Sequence, residues 1–207
     1  MPLLRAIRNH WALCGLCCCL GLPLWAQPVA DARLSALEGQ AAAGEWEKVD
    51  GEVPALLPLL EGPVRADALT LWAQARRRLG RPDTALVLHR SAWAWRVAQC
   101  GWLSPEAARS LHNLGNDYLR LGRLDSAGHY LYRAGAILAR SESDTLLAKV
   151  YNSLGVWHLY QGATDSSRYY LEQSLDRWRA VLPADSPRLL APLSNAATLL
   201  QGVDDQQ

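Results

Sequence analysis

The sequence predicts an all-α fold, a solenoid of antiparallel helix pairs behind a short leader. Three observations carry this. A turn-like segment recurs at spacings of 42 and 40 residues: Gly80-Arg81-Pro82-Asp83-Thr84-Ala85, then Gly122-Arg123-Leu124-Asp125-Ser126-Ala127, then Gly162-Ala163-Thr164-Asp165-Ser166-Ser167. Ahead of each turn, apolar residues fall at i, i+3, i+4 and i+7, the spacing of one helix face. Alternation with period two, the mark of a half-buried strand, is absent over any useful length.

The leader comes first in the chain. Arg5 and Arg8 supply a positive start, Trp11 to Leu22 form an apolar run of 12 residues, and Pro23 leads into Leu24-Trp25-Ala26. This resembles a bacterial secretory signal peptide cleaved between Ala26 and Gln27. The run is short of the roughly 20 apolar residues a membrane-spanning helix needs. The protein is therefore expected to be exported, periplasmic or secreted, with no stable membrane span in the mature chain. Four of the five cysteines lie in the leader (Cys14, Cys17, Cys18 and Cys19). Their CxxC spacing is read as small apolar residues of a discarded segment, and Leu13 and Leu16 fit poorly with a lipidation site. Cys100 alone remains and cannot form an internal disulfide; it is read as a partly buried linker thiol.

Each repeat then has a physical reading. The Gly closes a helix, since it tolerates φ > 0. The Asp is expected to cap the next helix by accepting from its free N–H groups. The small residue two places on (Ala85, Ala127 or Ser167) lets two backbones approach closely. Ser104-Pro105-Glu106 and Asp185-Ser186-Pro187 read as fresh helix starts, with Ser as N-cap and Pro in the first turn. The first helix of the middle unit carries Leu111, Leu114, Gly115 and Tyr118 on one face, and that of the third carries Tyr151, Leu154, Gly155 and His158. The second helices contribute Ala127, Leu131 and Ala134, then Ser167, Leu171 and Leu175. Gly44-Glu45-Trp46 reads as the turn of a degenerate N-terminal pair, whose second helix is put in doubt by Pro54 and Pro58. The expected divisions are a leader at 1–26, a degenerate helix pair at 27–65, repeats at 66–107, 108–147 and 148–189, and the first helix of a further, incomplete repeat at 190–207.

The pattern Leu111-x-x-Leu114-Gly115-x-x-Tyr118-x-x-x-Gly122-x-x-x-x-Ala127 resembles the tetratricopeptide repeat. The 40–42-residue spacing, and stretches such as Leu88 to Arg96, are similar to the longer kinesin-light-chain-like variety and to exported bacterial proteins that carry such arrays before a caspase-like CHAT peptidase domain. The first unit departs from the pattern at Trp72, Arg76 and His89, and the third at His158 and Ser167. The resemblance implies a right-handed superhelix whose concave face is lined by the first helices. By register, its lining would be Gln74, Arg77 and Arg78, then Arg109, His112, Asn113, Asn116 and Arg120, then Lys149, Asn152, Ser153, Val156 and Tyr160, and finally Asn195. Asn side chains can donate to and accept from a peptide backbone together, and Arg can hold a carboxylate with two hydrogen bonds. The groove is therefore expected to bind a protein or peptide, extended or acidic. The competing reading of these positions is an ordinary solvated polar face.

Other function classes find little support. With 21 basic and 20 acidic residues, net +1, the chain is no polybasic nucleic-acid binder, and the Arg76-Arg77-Arg78/Arg81 cluster reads as a solvated helix end favoured by the helix dipole. No Gly-x-Ser-x-Gly elbow, His-Glu-x-x-His pair or phosphate-binding Gly loop occurs. His89 and His158 fall at core-facing positions, and His129 is expected on the surface. No catalysis, cofactor or metal site is expected. The apolar stretch Leu189 to Leu200 opens a further first helix, which could support self-association. An alternative is that the chain is the recognition region of a longer CHAT-type peptidase.

Overall fold

The computed structural model describes residues 26–141, 144–183 and 185–204, with side chains to residue 198. The leader lies outside the described residues except for Ala26. Nine α-helices follow in order among the described residues: α1 Ala26–Ala42, α2 Trp46–Leu56, α3 Gly62–Arg78, α4 Pro82–Cys100, α5 Pro105–Arg120, α6 Leu124–Leu138, α7 Asp144–Tyr160, α8 Thr164–Val181 and α9 Leu190–Asp204. Short 3-10 turns, Leu57–Leu59 and Pro187–Leu189, precede α3 and α9. No strand occurs among the described residues. Helices α3/α4, α5/α6 and α7/α8 pack as antiparallel pairs, each pair stacks on the next, and α9 lies on α8 and α7.

The turns explain why the pairs repeat. Gly44, Gly80, Gly122 and Gly162 all take φ between 68° and 84°. At each, the Gly N–H reaches back to the carbonyl three residues earlier, and the next N–H reaches five back, as in Gly122 to Leu119 (3.0 Å) and Arg123 to Tyr118 (2.9 Å). This double closure satisfies carbonyls that the helix end would leave bare, and it needs a left-handed residue, a conformation that a Cβ disfavours.

The predicted apolar faces are the core. Leu111, Leu114, Tyr118, Ala127, Leu131 and Ala134 are buried, as are Leu154, Ser167, Leu171 and Leu175. Tyr151 and His158 are half-buried. A separate cluster around Leu34, Leu37, Val49, Val53, Leu60 and Leu71 holds the N-terminal pair onto α3.

Several expectations change. The Asp of each turn does not cap. Arg81, Arg123 and Ala163 occupy the N-cap positions with no side-chain bond, and Asp83, Asp125 and Asp165 sit in the first turn. There they act through the helix dipole. Ser104 does cap, accepting from Ala107 N–H at 3.1 Å ahead of Pro105. Helix α2 runs through Pro54, which removes a single ladder bond near the helix end, and Pro58 opens the 3-10 turn that follows. Helices α3, α5 and α7 begin at Gly62, Pro105 and Asp144, ahead of the expected divisions at 66, 108 and 148, because each helix starts about one turn before the buried Ala66, Ala108 and Ala148 that mark the repeat. Cys100 is exposed, as the last residue of α4 before Gly101. The arginine cluster is no bare helix end either. Arg76 and Arg81 pair with Asp50 of α2, Arg77 reaches Asp117 of α5, and Arg78 lies over the Trp46 ring at 5.7 Å. Asp50, which also accepts from Trp72 Nε1 at 2.8 Å, ties the N-terminal pair to the first full unit.

Candidate functional site

The first helices line a concave face with two adjoining hollows of about 660 and 760 Å³. Arg77, His112, Asn116, Thr145 and Lys149 border both, so the two make one continuous groove. Of the residues expected in the lining, Arg120, Asn152, Ser153, Val156 and Tyr160 fall in the hollow toward α9. Gln74, Arg109 and Asn113 fall in the hollow toward α1. Two lie outside both hollows: Arg78 is drawn to Trp46, and Asn195 is turned to a neighbouring helix.

Side-chain hydrogen bonds tie successive first helices together in and beside the groove. Asn116 Nδ2 donates to His112 Nε2 at 3.0 Å, and the Ser153 hydroxyl of α7 meets the same nitrogen at 2.9 Å. Asn195 Nδ2 of α9 donates to Asn152 Oδ1 at 2.9 Å. Five of the expected site residues, His112, Asn116, Asn152, Ser153 and Asn195, are thereby engaged with one another, Asn116 through one amide N–H only. Asn113, Asn116, Arg109, Arg120, Lys149 and Tyr160 remain to meet a ligand.

His112 is buried, and its pKa is pushed down to about 3 by loss of solvation, with Lys149 and then Arg77 adding repulsion. It is neutral at physiological pH. An unfolded chain binds a proton at this residue near pH 6.5, whereas the folded one does not until about pH 3. Between those values the unfolded state holds more protons, so stability falls as pH falls, by up to about 1.4 kcal/mol per unit for this one group. Chemical unfolding of the protein and of His112→Gln between pH 7 and pH 4 checks this. The variant is expected to be less stable at pH 7 and to show the shallower decline; parallel slopes would count against the assignment.

Cations dominate the groove walls. Burial pushes Arg77 below the usual arginine value, opposed by Asp117 and reinforced by Arg120. Lys149 is likewise lowered by burial and then by Arg188 and Arg109, so these charges stand within reach of one another. Arg109, Arg120, Lys149 and Arg188 form no ion pair among the described residues. An anionic ligand would relieve that repulsion.

Beneath the groove lies Asp117, fully buried between His89 of α4 (Nδ1–Oδ2 2.5 Å) and Arg77 of α3 (3.4 Å). His89 is therefore a packed histidine bonded to a buried carboxyl group. Sequence reasoning passed over Asp117 as a site residue. The available signal was its register: Ala75 and Trp157 stand at the matching positions of the flanking units, so the middle unit alone places a carboxylate there. Thr145 and Arg188 also border the groove without being expected there: Thr145 lies in the first turn of α7, ahead of the expected start at 148, and Arg188 precedes α9.

Comparison with known proteins accords with this geometry. The family model for the tetratricopeptide repeat matches residues 107–139 and 147–188. A clustered mitochondria protein homolog from Aspergillus niger is 27% identical over 105 residues, which are 49% of this chain and 8% of that protein. The chain thus spans a small part of that relative's length. Among solved structures, BtubC (BKLC) from P. vanneervenii superposes with a TM-score of 0.70 at 18% identity, over 87% of this chain and 77% of that one. A Podosopora anserina kinesin-light-chain-type protein with nearly identical TPR-like repeats gives 0.62 at 19%, over 86% and 90%. Pseudomonas aeruginosa pilF gives 0.62 at 22%, over 85% and 69%.

Proposed function

We propose that this tetratricopeptide-like repeat protein binds an extended, acidic protein segment in its concave groove, outside the cytoplasm once the leader has been removed. The observation that supports it is the coincidence, on one concave face, of four cations without carboxylate partners among the described residues and two Asn amides placed to meet a backbone. Arg109, Arg120, Lys149 and Arg188 offer charge-assisted bonds to carboxylates. Asn113 and Asn116 can each serve a carbonyl and an N–H of an extended strand. The repeat architecture suits protein interaction, and no described helix is long and apolar enough to cross a membrane.

The test is the triple substitution Asn113→Ala, Asn116→Ala and Arg120→Ala. Binding of an acidic extended peptide, followed by fluorescence anisotropy at low salt, is expected to weaken at least about tenfold, since hydrogen bonds to charged groups contribute roughly 1.5–3 kcal/mol each. The helical circular dichroism is expected to stay the same, because these side chains are not core. Retained affinity would move the site off the groove. A second reading is that these repeats form the recognition region of a longer CHAT-type peptidase; the match inside a much longer Aspergillus relative supports only the part of it that places such repeats within a longer chain. Reading the coding sequence past codon 207 tests it.

A further inference from the structure

We infer that the groove is polarised: it seats its segment with the acidic residues against α7–α9 and the uncharged or basic residues against α1–α3. This rests on the groove being the binding site at all, and it adds a charge order that composition alone would not require.

The two hollows carry different charge. The one between α5, α7 and α9 presents Arg120, Lys149 and Arg188, with Arg77 held by Asp117 at the border of the two hollows and no carboxylate in its lining. The one toward α1 shares Arg77 and Lys149 and adds Arg96 and Arg109, but it also holds two acids, Glu38 and Asp67, both at its α1–α3 end. Asp67 is half exposed and holds the buried Arg96 guanidinium at 2.6 Å, so Arg96 offers little charge to a ligand. Glu38 is exposed and has no ion pair among the described residues. An acidic residue lying over α1 and α3 meets these carboxylates. The same residue over α7 and α9 meets cations alone, beside Leu119, Val156 and the buried Trp178. Apolar walls exclude water and weaken screening, so charge counts for more at that end. Crowding of Lys149 by Arg188 and Arg109 adds to the demand for an anion there.

Three short peptides of identical composition test it, one with glutamates in a block at the N-terminal end and lysines at the other, one with the blocks exchanged, and one alternating. At low salt the better block peptide is expected to bind about fivefold or more tighter than the alternating one, because only a block avoids like charges at both ends. A nitroxide on its acidic end is expected to broaden the amide signals of Val156 and Tyr160, and one on its basic end those of Ala41 and Trp46. Glu38→Lys is expected to raise affinity for a uniformly acidic peptide, and Arg188→Glu to lower it for the block peptide. Equal affinities for block and alternating peptides, or reversed broadening, overturn the polarity. If binding is lost in the Asn113/Asn116/Arg120 variant yet ignores charge order, the groove stands and the polarity falls. If no peptide binds, both fall.

Discussion

Replacing Asp117 by Ala is expected to lower the unfolding free energy by about 3–5 kcal/mol, the usual cost of breaking a buried ion pair by removing one partner. Asp117 is fully buried and accepts from His89 Nδ1 at 2.5 Å and Arg77 at 3.4 Å. It is the point at which side chains of α3, α4 and α5 meet. Without it, the Arg77 guanidinium keeps its charge in a low-dielectric site, with its Nε already lacking a partner, and His89 loses its single hydrogen bond. A domain with a total stability of roughly 5–15 kcal/mol would lose a large fraction. Because each repeat touches only its neighbours, the damage should be local: hydrogen exchange is expected to accelerate most in α3–α5 and least in α8. Asp117→Asn, which keeps shape and one acceptor but not the charge, should fall between. A change in denaturant midpoint equivalent to less than about 1 kcal/mol, or exchange spread evenly along the chain, would mean that the contact is not a structural hub.

What the sequence made legible follows from periodicity. Leu111, Leu114, Gly115 and Tyr118 could be assigned to the core because a helix that buries one face must repeat its apolar side chains every three to four residues, and the αL turns could be placed because Gly alone meets a left-handed φ without strain. Helix starts were less legible. Asp83, Asp125 and Asp165 resemble caps, but each helix starts at the residue before them, and nothing in a one-dimensional pattern separates an N-cap from a first-turn carboxylate. The groove was readable as a set of positions and not as a set of roles. His112, Asn152, Ser153 and Asn195 lie on first helices at the expected places, yet they spend their hydrogen bonds on one another across helices some 40 residues apart. Arg78 lies outside the groove because it is drawn to Trp46 in a different unit, a contact with no signature in local spacing.

Gly115→Leu is expected to destabilise the middle repeat by roughly 1–3 kcal/mol through overpacking. A Cβ at Gly115 would lie 2.7 Å from both Cγ and Cδ2 of Leu131, and 3.4 Å from the Ala127 carbonyl oxygen. Leu131 is itself fully buried and has nowhere to swing, so α5 and α6 must part. The same arrangement recurs at Gly155 against Leu171 and Ser167. In the first unit the matching positions hold Ala73 and His89, where the Cβ is present and the opposing leucine is replaced. Contact at this layer is therefore a choice between a bare backbone facing Leu and a methyl facing a different shape. Gly115→Ala sharpens the test. On an exposed helix surface it would stabilise by about 1 kcal/mol, because Ala is the better helix former; here the clash should reverse the sign. Shortening the partner as well should recover part of the loss. Leu131→Ala alone opens a cavity and costs about 2–5 kcal/mol. With that leucine shortened, the methyl added at position 115 has room, so the double variant should be more stable than the sum of the single changes. Thermal unfolding of the four proteins measures that coupling. Additive effects, or an unchanged melting temperature in Gly115→Leu, would mean that the first and second helices do not meet at this residue and that the register of the repeat is wrong.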